Sequence, residues 1–371
     1  MNSVRFLHAA DLHLDSPFEA LGASKAAVRR SEQRQLLQRL AALVREEQLQ
    51  FVLLPGDLLD SELSFAETGE ALCACLAQMA VPVFIAPGNH DFYSAHSPYA
   101  KLNLPGNVTV FTRNRLQCAT LPSLGVRVYG AAYTAAESAP LLQGFRASRE
   151  DGLLNLLCLH AEVTKRESPY APVSEEELAA SGLHYAAFGH IHKASGLRQA
   201  GKTWYAWPGC PEGRGFDEAG DKGVYIVTLS DSDCRIETVS VALRHYRTLN
   251  VNVTGTDPLL AIHSQLDDET ARDVYRITLS GEVDVPPDMD RLQRNLCELF
   301  YALQLRDETR LRQELWNRAG EDSLRGLFLK KLHDSLLSEK DPAGRRLIEQ
   351  AARWGLAALE HREEVLTHED P

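Results

Sequence analysis

No long run of lysine and arginine occurs anywhere in the 371 residues, and the chain carries a formal net charge of −12. A duplex-binding protein usually shows a clustered basic surface, so this balance argues against tight unaided binding to DNA. No apolar run reaches the roughly 18 residues that a membrane-crossing helix needs, so no membrane span is expected. The seven cysteines (Cys73, Cys75, Cys118, Cys158, Cys210, Cys234 and Cys297) fall at irregular spacings and form no framework. An odd count without an export signal points to reduced thiols in the cytoplasm, acting as small buried apolar residues. Met1 leads within a few residues into an apolar stretch that ends at Asp11, so a cleaved leader is not expected. Internal repeats and low-complexity segments are also lacking.

What is present is ordinary for a soluble globular protein: 44% hydrophobic and 24% charged residues. The length suggests more than one domain. Over the first 200 or so residues, apolar runs alternate with helical patterns. Residues 25–48 place Leu36, Leu37, Leu40, Leu43 and Val44 near helical spacing, and 66–80 reads as a second helix. The runs at 4–10, 51–55, 81–86, 126–130, 153–159 and 184–188 read as strands that are apolar throughout, hence covered by helices on both faces. Beyond Lys202 the runs 203–207, 223–229 and 235–241 alternate or are β-branched and read as strands of a second sheet. The expected fold is α/β: a two-sheet sandwich with helices outside over residues 1–247. Residues 248–304 read β-α-β-α, over 248–253, 257–266, 274–279 and 288–303, with Asp257-Pro258 opening the first helix, as a small separate domain. Residues 305–371 read as a helical C-terminal region with a frayed end.

Clusters of aspartate, histidine and asparagine follow the early strands in order. They are Asp11-Leu12-His13, Gly56-Asp57 with Asp60, Gly88-Asn89-His90-Asp91, the isolated His160, and Gly189-His190-Ile191-His192. In an open α/β sheet, functional groups gather where strands end, so these clusters converge in space although far apart in the chain. Asp11 and His13 flank one residue and, in extended chain, point the same way, able to grip one ion together. A ligand that bridges two divalent ions should be an anion, which selects Asp57, and Gly56 lets the backbone pass close by. Asn89 adds a neutral oxygen; His160, His190 and His192 add nitrogens. Mixed carboxylate, amide and imidazole ligands without thiolate suit manganese, iron or zinc better than magnesium or calcium. His90 projects elsewhere and is the candidate to donate a proton to a leaving oxygen, or a hydrogen bond to a phosphoryl group. Asp60 is the candidate to orient the His90 imidazole; Asp91 competes for that role or caps a turn.

Each cluster alone has a plain structural alternative. Asp-x-His is met as a polar pair at a strand end, Gly-Asp as a turn, and a lone histidine more often packs than ligates. Their joint occurrence, in order and each after an apolar run, is what favours a metal centre. Trp204, Tyr205 and Trp207 read as sheet core before base-stacking groups. The amphipathic stretch from Ser323 to Leu332 fits either a partner's coiled coil or its own neighbouring helices.

The full order Asp-x-His, Gly-Asp-x-x-Asp, Gly-Asn-His-Asp, His and Gly-His-x-His resembles that of the calcineurin-like metallophosphoesterases, over residues 5 to about 230. The resemblance implies a four-layer fold with two sheets flanked by helices. It implies Asp11, His13, Asp57 and His192 around a first ion, Asp57, Asn89, His160 and His190 around a second, and His90 as acid or transition-state stabiliser. Within the superfamily, Asp11-Leu12-His13-Leu14-Asp15, Gly56-Asp57-Leu58-Leu59-Asp60 and the stretch from Pro208 to Asp217 resemble the DNA repair exonuclease branch of SbcD-like and YhaO-like proteins. That branch implies a manganese-dependent DNA exonuclease, with endonuclease cuts as a second activity. It implies a capping domain, a partner ATPase of the SbcC type with a long coiled coil, and a homodimer.

The reading is therefore a two-metal phosphodiesterase acting on DNA. The acidic balance keeps a phosphodiesterase or phosphatase of small phosphoesters as the alternative. A non-enzymatic regulatory subunit of an ATPase complex is the third reading, and the intact ligand set speaks against it.

Overall fold

The computed structural model describes residues 3–19, 21–61, 64–164, 167–267, 270–311 and 316–359. It divides into two compact units, Met1–His245 and Tyr246–Pro371. The expected frayed end beyond residue 359 lies outside the described residues.

The first unit begins with β1 (Val4–His8), α1 (Ala23–Glu46), β2 (Phe51–Leu54), α2 (Ala66–Met79), β3 (Val83–Ile85), α3 (Pro98–Lys101) and β4 (Val108–Val110). It continues through β5 (Gln117–Leu121), β6 (Val126–Gly130), β7 (Leu154–His160), α4 (Glu175–Ala180) and β8 (Tyr185–Gly189). The last strands are β9 (Arg198–Ala200), β10 (Thr203–Ala206), β11 (Val224–Leu229) and β12 (Cys234–Val239). Two six-stranded sheets result, in the orders β12-β11-β1-β2-β3-β4 and β5-β6-β7-β8-β10-β9. β1 to β4 run parallel in the first sheet, and β6, β7, β8 and β10 run parallel in the second. Every cluster singled out in the sequence lies at or just beyond the carboxyl end of one of these parallel strands, with His160 the last residue of β7.

The sandwich explains why the strands are apolar on both faces. Phe6, Phe51, Leu53 and Phe84 of the first sheet meet Val128, Leu156, Cys158 and Tyr185 of the second. Phe6 stacks on Phe51 at 4.6 Å and meets Tyr185 edge-on at 5.5 Å across the gap. The alternate residues Leu7, Val52 and Leu54 face outward onto Leu36, Leu37, Leu40, Leu72 and Leu76 of α1 and α2. On the other outer face, Leu157, Leu159 and Phe188 pack with Leu178 of α4. The second apolar face of each central strand is thus covered by the opposing sheet, not by a helix. His8 joins the layers: its ring nitrogens meet the Tyr185 hydroxyl at 2.9 Å and the Phe188 carbonyl at 3.0 Å.

The expectation that residues 203–241 build their own sheet is corrected. β10 joins the second sheet beside β8, whereas β11 and β12 complete the first, with Val4 opposite Leu229 and His8 opposite Tyr225. The free edge of β1 takes an antiparallel partner from far along the chain, a choice that local alternation does not encode. The short strands β4, β5 and β9 were not read from the sequence. The cysteines are all free; Cys75, Cys158, Cys210 and Cys234 are buried as expected, but Cys118 and Cys297 are exposed. Trp207 is buried with its indole N–H donating to the Ala161 carbonyl at 3.1 Å, and Tyr205 is buried as well.

The second unit opens with β13 (Tyr246–Asn252), α5 (Pro258–His263), β14 (Val274–Ser280), β15 (Glu282–Val283) and α6 (Met289–Leu296), followed by β16 (Ala302–Asp307) and β17 (Arg310–Leu311). β13, β14 and β16 form a parallel three-stranded sheet. Asp257 caps α5 as expected, accepting from the backbone N–H groups of Leu259 and Leu260. The expected long helix from Asp288 to Leu303 is instead α6 followed by β16, and β16 and β17 occupy the start of the stretch expected to be wholly helical. The strands form because Ala302, Leu303 and Leu305 pair beside β14, whose Ile277 and Leu279 need a neighbour. Two helices, Leu324–Ser338 and Pro342–Leu359, follow and bury Leu329, Leu336, Ala352 and Leu356 together with Trp316. Among the described residues no helix is long and apolar enough to cross a membrane.

Candidate metal centre

Beyond their strands, the loops after β1 and β2 stay zipped together. The backbone N–H groups of Asp11 and His13 donate to the carbonyls of Gly56 and Asp57 at 3.1 and 2.9 Å, and that of Asp60 donates to Leu14 at 2.9 Å. This ladder brings Asp11 and His13 against Asp57. The expected extended geometry of Asp11 and His13 is not what aligns them: both adopt positive φ, 54° and 43°, as does Asp57 at 51°. Such left-handed residues cost about 1–3 kcal/mol each and persist where surrounding structure dictates them. Gly88 lets the β3 loop approach, since a Cβ there would lie 2.2 Å from Asp57 Oδ1. Asp91 secures the same turn: its carboxylate accepts from the N–H groups of Gly88 at 2.8 Å, Asp57 at 3.2 Å and Leu58 at 2.7 Å, and from the Tyr99 hydroxyl. Asp91 is therefore a turn cap, not the orienter of His90.

Asp11, His13, Asp57 and His192 each offer a ligand atom within 4.8 Å of the others. Beside them, His160 Nε2 lies 2.9 Å from Asn89 Oδ1 and 3.4 Å from Asp57 Oδ2. The His190 ring stands edge-on to His160 at 5.2 Å, and its backbone N–H donates to Asp11 Oδ1 at 2.9 Å. The structure thus brings all the candidate ligands together, with Asp57 between two groups of them.

The ring protons can be placed from the partners. His13 Nδ1–H donates to Asp60 Oδ1 at 2.9 Å, and His192 Nδ1–H to Glu218 Oε1 at 2.6 Å. His160 Nδ1–H donates to the Pro55 carbonyl at 3.0 Å. The nearest partner of each Nδ1 is an acceptor, which leaves a lone pair on Nε2 of His13 and His160 in the neutral ring. For His192 burial disfavours the charged ring, but the Glu218 hydrogen bond and the Asp11 charge raise its pKa. The Nε2 atoms of His13 and His192 stand 3.1 Å apart, with Asp57 Oδ2 3.6 Å from the former. Asp11 Oδ2 is buried there without a hydrogen-bond donor among the described residues. Converging nitrogens and carboxylate oxygens repel one another unless a proton or a metal cation lies among them. The donor set therefore fits a divalent ion at each side of Asp57.

Burial prepares these groups further. It pushes the pKa of His13, His160 and His190 down to about 4, so all three rings are neutral ligands at neutral pH. The same desolvation raises the Asp11 carboxyl to about 7, a penalty that a bound cation removes. Burial would also raise Glu218, but hydrogen bonds from His192 and Arg214 hold it well below the usual carboxylate range.

His90 is exposed, and its Nδ1–H donates to the main-chain carbonyl of Asp60 at 3.0 Å; its backbone N–H donates to Asp57 Oδ1 at 3.0 Å. Asp60 thus touches His90 through its carbonyl, while its carboxylate goes to His13. Arg214 and Glu218 escaped the sequence reading, although the stretch singled out for its resemblance, Pro208 to Asp217, contains Arg214 and ends one residue before Glu218. Arg214 donates to Asp60 Oδ1 at 2.9 Å and to Glu218 Oε1 at 2.7 Å. The signal was a strongly charged pair in a glycine-rich turn, Gly213-Arg214-Gly215 with Glu218 one helical turn later. Tyr170, whose ring lies 4.6 Å from His190, was also missed, with no signal to mark it.

A two-sheet sandwich that gathers histidines and carboxylates into a candidate metal site at its strand ends, in a chain that matches the family below, defines a metal-dependent phosphoesterase, which is a hydrolase. Residues 4–194 match the family described as calcineurin-like phosphoesterase, and the chain belongs to it. The chain is similar to the uncharacterized metallophosphoesterase YhaO of Bacillus subtilis (strain 168), 29% identical over 285 residues, which span 72% of this chain and 68% of that one. Among solved structures it is similar to a dimetal phosphatase from Danio rerio, at 12% identity and a TM-score of 0.41, covering 63% of this chain and 98% of that one. A purple acid phosphatase from yellow lupin aligns at 11% identity and a TM-score of 0.43, covering 64% of this chain and 52% of that one.

Proposed function

We propose that the protein is a two-metal phosphodiesterase that hydrolyses DNA, working chiefly from ends as an exonuclease in DNA repair or processing. The observation that carries the hydrolytic part is the convergence of the His13 and His192 Nε2 atoms, 3.1 Å apart, with the carboxylates of Asp11 and Asp57. The DNA substrate is supported by the likeness of the motifs around Asp11, Asp57 and Arg214 to the DNA repair exonuclease branch. When bound, two divalent ions, with manganese preferred and iron or zinc as alternatives, supply a water nucleophile and neutralise charge growing on the phosphoryl oxygens.

The chain's own residues do the rest. Asp57, between the two groups of ligands, carries the negative charge that offsets the cations' mutual repulsion. Asp11, His13 and His192 would hold one ion; Asn89, His160 and His190 would hold the other. His90, exposed and oriented through Nδ1 by the Asp60 carbonyl, presents Nε2 outward. In the doubly protonated ring that Nε2–H donates to the departing sugar oxygen or to the phosphoryl group. Asp60 positions both histidines, one through its carboxylate and one through its carbonyl.

The net charge of −12 works against unaided duplex binding. It favours action with a partner that holds the DNA, a coiled-coil ATPase of the SbcC type, in the cytoplasm and as a homodimer. The same charge supports a second reading, a phosphodiesterase of small phosphoesters. Assaying the manganese-loaded protein on linear duplex DNA, with and without the ATPase, beside a chromogenic phosphodiester separates the two. Release of nucleotides that increases with the ATPase supports the first. Turnover of the chromogenic ester with intact DNA in both mixtures supports the second.

A further inference from the structure

We propose that Arg214 is a positioning residue for one of the two ions: it ties the Asp60 and Glu218 carboxylates into a single bracket and so holds His13 and His192 as a matched pair of ligands. This rests on the two-ion reading above. The five groups form a closed ring. His13 Nδ1–H donates to Asp60 Oδ1 at 2.9 Å, and Arg214 Nη1 donates to that same oxygen at 2.9 Å. Arg214 Nη2 donates to Glu218 Oε1 at 2.7 Å, and that oxygen accepts from His192 Nδ1–H at 2.6 Å. The ring closes where the two Nε2 atoms meet at 3.1 Å.

The geometry uses what only a guanidinium offers. Its planar fork places donors in fixed directions, so one side chain spans two carboxylates and fixes their separation. Arg214 is itself held by Glu218 Oε2, which accepts from its Nε at 3.3 Å and from its backbone N–H at 2.8 Å. Arg214 Nη2 also lies 3.2 Å from His192 Nδ1, but the acceptor-only carboxylate oxygen is the nearer partner of both and takes the ring proton. The same segment grips the main chain at His192, whose carbonyl accepts from Cys210 N–H at 3.3 Å and Lys222 Nζ at 3.1 Å. Asp60 comes from the β2 loop and Glu218 from a segment about 150 residues later, and neither alone relates His13 to His192. On the other side of Asp57, His160 is set by the Pro55 carbonyl and does not touch this bracket. A defect in Arg214 is therefore felt on one side of Asp57 only.

The test is a Mn2+ titration of the metal-depleted full-length protein, followed by calorimetry and by the electron paramagnetic resonance of free Mn2+. The wild type is expected to bind two ions. In Arg214→Met, one site weakens by about 10- to 100-fold and the other keeps its affinity. In Arg214→Lys, which keeps the charge but loses the fork, the same site weakens by a smaller factor. The lysine variant serves alone if the methionine variant does not fold. Two wild-type sites that are both unchanged in the variants, or both weakened alike, overturn the role of Arg214 and leave the two-ion reading standing. Fewer than two ions in the wild type overturns that reading itself.

Discussion

His13 and His192, from loops 179 residues apart, meet through Nε2 atoms at 3.1 Å, each ring turned by a carboxylate on its far nitrogen. Neither ring could tolerate the other so close if both carried protons there. One shared proton or a metal cation must lie between them, and with Asp11 and Asp57 alongside the four groups offer ligand atoms that fit a cation.

His90 stands outside that meeting of nitrogens, tethered to the Asp60 carbonyl. Replacing it with alanine is expected to reduce phosphodiester turnover by about 100- to 10,000-fold while two ions still bind. Activity and metal content are measured on the same preparation. Loss of an ion in His90→Ala would reassign the residue as a ligand.

Gly88→Ala tests how closely the β3 loop must approach Asp57. The added Cβ would sit 2.2 Å from Asp57 Oδ1 and 2.9 Å from its backbone nitrogen. The variant should lose roughly 1–3 kcal/mol of stability and bind metal more weakly, because Asp57 or the loop has to shift. Gly106→Ala, where a Cβ meets nothing within 4 Å, is the control and should stay close to wild type. Denaturant titration with and without Mn2+ reads both effects, and equal behaviour of the two variants contradicts the account.

The metal-free protein should lose stability on mild acidification. Burial lowers His8 to about 3 and His13, His160 and His190 to about 4, whereas the unfolded chain binds those protons near pH 6.5. The stability these neutral rings contribute is fully present above pH 6.5 and is lost as pH falls through their folded values. Asp11 acts in the opposite sense, because its carboxyl is raised to about 7: its contribution is present below about pH 4 and lost towards pH 7. Asp91 and His192, both raised, act with Asp11, whereas His184 and Glu218, both lowered, add to the loss from the four histidines, so unfolding midpoints measured in chelator should drop between pH 6.5 and 4. Midpoints that are flat or rise over that interval would show that these rings are not held neutral.

Much of the centre was legible because each ligand cluster follows directly on an apolar strand, a local pattern visible in Leu53-Leu54-Pro55-Gly56-Asp57 as well as in Ala187-Phe188-Gly189-His190. What was not legible depends on distant partners. β11 lies beside β1 only because the sandwich leaves that edge free, and nothing within residues 224–229 names the neighbour. Asp60, three residues after Asp57, is read as the orienter of His90; it meets that ring through its carbonyl, while its carboxylate turns to His13, where Arg214 also donates. Asp11 and His13 do point to one place, but through left-handed backbone and not through extended chain. Glu218 fixes His192 from a turn whose sequence carries charge without spacing to suggest a target.

The central claim is that two cations sit on either side of Asp57. A crystal grown with Mn2+ and measured at the manganese absorption edge tests it most directly. The account predicts two anomalous peaks about 3.5–4 Å apart with Asp57 contacting both. Asp11, His13 and His192 would surround one, and Asn89, His160 and His190 the other. A single peak, or none within reach of Asp57, would contradict it.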